Sequence, residues 1–339
     1  MNEIQWRQKQ ARRVDRWHFS RIGAGLLLYH LLGAGIQLVI VNLITLSGWD
    51  YTPYAMNLNY ILMLVCMYLT AFPAALAYFR TVPKFGQTRR ERWGIKAWVV
   101  FVMIGLSFTY LGNLFGSFVS GFFGDSPSFE SLQVMLFDGN LFLTFLTVVI
   151  GAPVVEEFLY RKLLIDRTIG YGEKLSVLLS GLLFGLMHGN FQQFFYAFLL
   201  GCLFAYIYCK TGNIRNTILF HMGINFCGGI VAPLLLKPIL EVEEQLGGSG
   251  SLADAEQMLA MMLENPFLIA ACLLLLLYVA FQFLSAIVGI AFFFIFRKYI
   301  CFYPGIRGIP AGEAFGSAVW NLGMGAFVVF CFLQFLFLG

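Results

Sequence analysis

The chain has 339 residues, of which 59% are hydrophobic and only 12% are charged, and its mean hydropathy is +0.78. A soluble core of this size does not need such values, so composition excludes an ordinary soluble domain and predicts a polytopic membrane protein. The formal net charge of +4 is small and lies mostly in predicted loops. We interpret this charge as a signature of membrane topology and expect no nucleic-acid partner.

Apolar segments of helical length follow one another along the chain. A bilayer core of roughly 30 Å takes about 20 apolar residues of helix, and charged or Gly/Pro-rich breaks separate segments of that size. A tight break at Gly189-Asn190 divides two short segments. The fold class is therefore an all-α, polytopic transmembrane helical bundle of about eight to nine spans, drawn at 24–47, 57–79, 97–121, 141–161, 175–190, 192–209, 216–236, 267–296 and 314–337.

Basic residues predict the orientation of this bundle. The first twenty residues are polar and basic and do not resemble a cleaved secretory signal, so we expect a cytoplasmic amino terminus. With that start, 21 of the 22 Lys and Arg residues lie on the cytoplasmic side and Lys237 alone lies outside. This distribution is the one that the positive-inside rule favours.

A few polar side chains inside predicted spans carry the functional signal. Such groups are costly in lipid and are usually functional when they gather. His30, in the first span, stands apart and is interpreted as a residue that hydrogen-bonds between helices. The others lie in three predicted spans and are Glu156, Glu157, His188, His221 and Asn225.

Depth in the membrane and helical phase predict how these side chains are arranged. At about 1.5 Å of rise per residue, Glu156, His188 and Asn225 lie roughly 15–21 Å from the cytoplasmic end of their helices, and His221 lies roughly 9 Å from it. These similar depths predict that the side chains share one water-filled, polar cavity inside the bundle. Glu156 and Glu157 are about 100° apart on a helix. Glu157 is placed to pair with the residue at i+4, Arg161, which leaves Glu156 facing the histidines.

The chemistry of this set is hydrolytic or proton-handling. The sequence contains no evident Ser/His/Asp set, HExxH, Walker loop or GxGxxG. Glu156 can activate a water as general base, with His188 on the same water and Asn225 and His221 donating to an oxyanion. Glu156, His188 and His221 are equally a plausible zinc set, so the expected cofactor is either none or zinc.

Three motifs carry a resemblance to a known family. "EEFLYR" at 156–161, "FGLMH" at 184–188 and "HMGIN" at 221–225 resemble the EExxxR, FxxxH and HxxxN motifs of the CPBP family. This family includes the type II CAAX prenyl endopeptidases and the bacterial Abi proteins. The resemblance covers roughly residues 141–236. It implies catalytic roles for Glu156, His188, His221 and Asn225 and supporting roles for Glu157, Arg161 and Phe184.

The family resemblance also implies a function and a division of the chain. We expect an intramembrane endopeptidase, in a bacterial cell membrane, that cuts a membrane-associated protein or peptide such as a prenylated, CAAX-type tail entering from the cytoplasmic side. A proton-coupled transporter and a non-catalytic Abi-type scaffold or immunity protein are the alternatives. The predicted divisions are a basic arm (1–23), amino-terminal spans (24–140), the catalytic core (141–236), an extracytoplasmic loop with an amphipathic helix (237–266) and carboxy-terminal spans (267–339).

Overall fold

The structure, a computed structural model, describes residues 3–123, 127–245, 252–307 and 311–337. Within these ranges the regular structure is entirely helical, which confirms the predicted fold class. The helices in chain order are α1 (Glu3–Leu46), α2 (Thr52–Arg80), α3 (Ile95–Phe123), α4 (Pro127–Asp138), α5 (Leu141–Tyr171), α6 (Glu173–Leu186), α7 (Phe191–Thr211), α8 (Ile214–Gln245), α9 (Leu252–Glu264), α10 (Pro266–Phe296), α11 (Ala311–Val319) and α12 (Leu322–Phe337).

The number of membrane-crossing helices is slightly lower than the nine drawn from the sequence. Among the described residues, seven helices are long and apolar enough to cross a bilayer: α1, α2, α3, α5, α7, α8 and α10. The ninth predicted span is the pair α11 and α12, which bends by 71° and makes an eighth span if it is counted as one. The fifth predicted span is α6, which has only 14 residues. Most of its side chains are buried against protein, so its length need not match the lipid.

Helices α6 and α7 form an antiparallel hairpin beside the centre of the bundle. Their far ends are joined where Lys210 Nζ lies 2.6 Å from Glu173 Oε2. Their near ends meet at the predicted break, where Gly189 has a φ of +66° and the Asn190 side chain caps α7 by accepting from the backbone N–H of Gln193. A positive φ favours glycine, and asparagine is a preferred N-cap, which explains why the chain reverses here.

Glycines allow α3 to approach this hairpin closely. A Cβ atom added at Gly112 would collide with the backbone of Tyr196 in α7, and one at Gly116 would lie 2.7 Å from the carbonyl oxygens of Phe191 and Gln192. Small residues at such spacing are how helices pack closely within a membrane. The glycines therefore set the position of α7 next to the polar residues of the bundle.

Charged contacts gather at one end of the bundle, which we call the basic end. It consists of residues 12–21, 80–96, 161–173, 210–215 and 297–307, all of them predicted to be cytoplasmic. The charged pairs that join these segments are Lys84–Asp166 at 3.3 Å, Arg89–Glu173 at 3.6 Å, Lys210–Glu173 at 2.6 Å and Arg307–Asp15 at 2.8 Å. Tertiary structure thus brings together segments that the sequence grouped only by charge.

Candidate active site

The two adjacent glutamates lie in a short α-helical stretch of α5 between two π-helical stretches. Ala152–Glu157 is α-helical, Phe145–Gly151 precedes it and Phe158–Leu163 follows it as wider, π-type turns. A third π-helical stretch, Cys227–Val231, follows Asn225 in α8. Such turns are uncommon and often accompany functional sites, because they change the direction in which neighbouring side chains point.

Glu157 is completely buried and makes two charged contacts. Its Oε2 lies 3.1 Å from Nε of Arg161, which is also completely buried, so the predicted ion pair is present. Its Oε1 lies 3.1 Å from Nδ1 of His221. The guanidinium of Arg161 lies over the ring of Phe184, 4.3 Å from its centre, and 5.6 Å from the ring centre of Phe204. Glu157 therefore holds His221 as well as Arg161, a contact that the sequence reasoning did not foresee.

His221 lies between the two glutamates. An ionised carboxylate only accepts hydrogen bonds, so the ring donates from Nδ1 to Glu157 and keeps the lone pair on Nε2. This Nε2 lies 3.8 Å from Oε2 of Glu156, whose side chain retains 16% of its exposure. Glu157 thus orients the imidazole of His221, and Glu156 lies near the nitrogen that keeps the lone pair.

His188 is held in the same manner by a backbone group. Its Nδ1 lies 2.9 Å from the carbonyl oxygen of Phe184, one turn earlier in the chain, so this nitrogen donates and Nε2 keeps the lone pair. The buried ring of Phe184 stands edge-on to both imidazoles, at centroid distances of 5.2 Å to His188 and 5.7 Å to His221. Phe184 therefore packs between the two histidines and the Arg161 guanidinium.

Asn225 lies one turn beyond His221 on α8. Its Nδ2 donates a 2.9 Å hydrogen bond to the carbonyl oxygen of Val148, in the first π-helical stretch of α5. This bond connects α8 to α5 at Val148, which precedes Glu156 in the chain. A carboxamide has two N–H donors, so one remains for another acceptor.

The site opens into a cavity of about 610 Å³. Glu156, Phe184, His188, His221 and Asn225 line it, whereas Glu157 and Arg161 lie behind this wall. Ligand cavities generally have volumes of about 300–1,000 Å³. The structure therefore brings four of the sequence-predicted polar residues to one cavity and places the ion pair outside it as their support.

Sequence reasoning missed several other polar residues that line the cavity. Tyr278 Oη donates to the carbonyl oxygen of Cys227 at 3.2 Å, and Gln282 Nε2 donates to Tyr278 Oη at 3.2 Å. Both belong to α10, outside the three motifs. Gln282 was visible in the sequence as an amide within an otherwise apolar span, and such a residue is itself a functional signal. Further polar lining residues are Thr109, Asn113, Gln133, Gln193 and Tyr196.

His30 is separate from this set. Its Nε2 lies 3.2 Å from Oη of Tyr160 in α5, which confirms the interpretation of His30 as a helix–helix hydrogen-bonding residue.

The donor side chains of the site do not form a ready metal centre. In the described part of the chain, no three His, Cys, Asp or Glu side chains are arranged so that they could hold a metal ion. The cavity-facing Nε2 atoms of His188 and His221 do carry the lone pairs that a zinc ligand needs. With Glu156 they remain the zinc candidates, although they would have to move to bind one ion together.

Comparison with known proteins agrees with the three motifs. A family model described as type II CAAX prenyl endopeptidase Rce1-like matches residues 138–227. YdiL of Bacillus subtilis, named as a membrane peptidase, is 23% identical over 188 residues, which cover 53% of this chain and 74% of that protein. The UPF0177 protein YxdF of Lactococcus lactis is 29% identical over 84 residues, which cover 24% of this chain and 46% of that protein.

No solved structure matches the chain significantly. The family match contains all three motifs, and the relatives include a membrane protein named as a peptidase. Residues 138–227 are therefore similar to the Rce1-like type II CAAX prenyl endopeptidases, in agreement with the resemblance of the three motifs to the CPBP family.

Proposed function

We propose that this protein is an intramembrane endopeptidase that hydrolyses a peptide bond in a membrane-associated protein or peptide. The observation that supports the proposal is the meeting of Glu156, His188, His221 and Asn225 at one cavity inside a bundle of apolar helices. A carboxylate, two imidazoles and a carboxamide supply a base, water ligands and an oxyanion donor, which are the groups that hydrolysis without a covalent intermediate requires.

Glu156 acts first in this proposal. Its carboxylate takes a proton from a water held between it and Nε2 of His188, and the water oxygen attacks the carbonyl carbon of the peptide. A C–O bond forms and the carbonyl oxygen becomes an oxyanion. Glu156 then returns the proton to the departing nitrogen as the C–N bond breaks.

Asn225 and His221 stabilise the negative charge that develops during this reaction. The N–H of Asn225 that is not bonded to Val148 donates to the oxyanion. His221 donates from Nε2 to the same oxygen when its ring is protonated, while Glu157 accepts from Nδ1 and fixes the direction of the ring. Glu157 and Arg161 are thus positioning residues, because they hold His221 and touch no reacting atom.

Zinc is the alternative way to activate the water at this site. If bound, zinc would be held by Glu156, His188 and His221 and would supply a hydroxide at neutral pH. We favour the metal-free route, because no three of the described donor side chains are arranged to hold one ion, whereas Glu156 already lies at the cavity wall.

The bilayer sets the class of substrate in this proposal. The cavity is lined largely by apolar side chains, such as Leu106, Leu132, Val148 and Leu200, and these suit a peptide anchored by a lipid or an apolar segment. The prenylated tail for which the family is named is one such peptide. We also propose that the amino terminus is cytoplasmic and that residues 141–236 form the catalytic core.

The test compares membrane peptidomes of cells that carry wild type, Glu156→Gln or Glu241→Gln protein. Glu241→Gln is the matched control, because Glu241 is an exposed glutamate on α8, the helix that carries His221. We expect at least one peptide fragment with wild type and with Glu241→Gln that is absent with Glu156→Gln. Identical peptidomes for all three proteins would contradict a peptidase function.

A further inference from the structure

The cavity extends from the reacting residues in one direction only, away from the basic end. On α8 its lining continues from His221 through Asn225 to Pro233, which is further from the start of the helix at Ile214. Ile214 lies in segment 210–215, which belongs to the basic end. The lining also includes five residues of α4, a helix that precedes the start of α5: Phe129, Leu132, Gln133, Leu136 and Phe137.

The opposite direction, from Glu157 toward the basic end, is filled with packed side chains. Tyr160, Arg161, Leu164 and Tyr208 have no exposed surface. Tyr208 Oη donates to Asp166 at 2.8 Å and accepts from Lys162 at 3.0 Å, so polar groups close the packing at the basic end. None of the residues that line the cavity belongs to the basic end.

Helix α4 lines the cavity, and hydrogen bonds connect its carboxy-terminal end to α8 and α2. Lys237 Nζ donates to the carbonyl oxygen of Phe137 at 2.8 Å and lies 3.3 Å from Oδ1 of Asp138, so it caps the carboxy-terminal end of α4. Tyr60 Oη donates to the carbonyl oxygen of Met135 at 2.6 Å. Lys237 is the one basic residue of the sequence that the charge distribution places outside the cell.

We infer that substrate enters the cavity beneath α4, from the extracytoplasmic side of the bilayer. The inference rests on the proposed peptidase function and on a cytoplasmic basic end. An extended peptide cannot pass the close-packed, ion-paired layer behind Glu157, whereas it can reach Glu156 through the cavity. The substrates are then membrane-anchored peptides whose scissile bond is reached from the outer half of the bilayer. The proposal differs from the sequence expectation of a tail that enters from the cytoplasmic side.

Two native cysteines test this inference without any substitution. Cys227 lines the cavity and is partly exposed, and Cys301 is exposed at the basic end. A charged, membrane-impermeant maleimide is added to right-side-out and to inside-out vesicles that contain the full chain, and labelled cysteines are identified by peptide mass spectrometry. We expect Cys227 to be labelled in right-side-out vesicles and Cys301 in inside-out vesicles.

Labelling of Cys227 only in inside-out vesicles would overturn the inference, and so would protection of Cys227 from both sides. The same labelling pattern is expected for Glu156→Gln, because entry of the reagent needs no turnover. A failure of the peptidase proposal and a failure of the entry proposal are therefore seen in different measurements.

Release of α4 provides a second measurement. Lys237→Ala removes the cap on the Phe137 carbonyl, so the rate of Cys227 labelling from the outside should rise severalfold while that of Cys301 stays constant. Lys298→Ala, which removes an exposed lysine at the basic end, is the matched control and should leave both rates unchanged. An unchanged Cys227 rate in Lys237→Ala would refute the role of α4 as the cover of the entrance.

Discussion

Replacing Arg161 with alanine should destabilise the protein as well as impair its activity. Arg161 and Glu157 both have 0% exposure and lie 3.1 Å apart, so neither charge has access to water. After the substitution, the Glu157 carboxylate loses its arginine partner and keeps its contact with Nδ1 of His221. The stacking of the guanidinium on Phe184 is also lost.

The cost follows from the burial of this pair. Removing one partner of a buried ion pair costs about 3–5 kcal/mol, because the other charge stays desolvated. Large domains lose about 2 °C in melting temperature per kcal/mol, so Arg161→Ala should melt about 6–10 °C below wild type in detergent. The matched control is Arg12→Ala, since Arg12 and Glu313 form a pair with 56% and 39% exposure. Exposed pairs contribute about 0–1 kcal/mol, so this variant should melt within about 2 °C of wild type.

A double variant separates the charge effect from the packing effect. Glu157→Gln with Arg161→Gln removes both buried charges and keeps side chains of similar length, so it should melt above Arg161→Ala. The measurement is thermal unfolding of all four proteins in one detergent. Equal melting temperatures for wild type and Arg161→Ala would refute the argument that this ion pair supports the fold.

Three further predictions concern the reaction and the packing. With an identified substrate in single-turnover assays, Glu156→Gln should lower the cleavage rate below detection, whereas Asn225→Ala should lower it by a factor of about 10²–10³ with little change in substrate affinity. Equal activity of the two variants would contradict the assignment of Glu156 as base. Metal analysis of purified protein should find less than stoichiometric zinc, and o-phenanthroline should leave cleavage unchanged; one zinc per chain with reversible loss of activity on chelation would instead establish the metal route. Gly112→Leu should lower the yield of folded protein in detergent, because a side chain there collides with the Tyr196 backbone, while Gly121→Leu, where a Cβ meets nothing within 4 Å, should not; equal yields would remove close helix packing from the account.

Local patterns in the sequence determined the elements that carry the site. The apolar runs predicted the long helices, and the Gly189-Asn190 break and the i, i+4 spacing of Glu157 and Arg161 are found as expected. These features depend on residues that are neighbours along the chain. Hydrophobic length, turn chemistry and helical phase are local properties, so one sequence suffices to read them.

Local sequence patterns could not predict the contact between Glu157 and His221. It joins residues 64 positions apart, and helical phase alone turned Glu157 away from the pocket. Helical phase correctly placed Glu157 outside the cavity, but which residue of another helix it meets there depends on how α8 packs against α5. The short α6 was likewise counted as a full span, because its apolar residues contact protein where lipid was assumed.

The sequence by itself therefore determined that this is an all-helical membrane protein and predicted that Glu156, His188, His221 and Asn225 share a cavity, because composition and spacing along each helix record these properties. Only the tertiary structure decided which glutamate orients His221 and on which side of the reacting residues the cavity lies. Both depend on how separate helices are rotated and packed against one another. That packing is set by many long-range contacts, such as those of Gly112 with α7 and of Lys237 with α4, and each is recorded only in the assembled bundle.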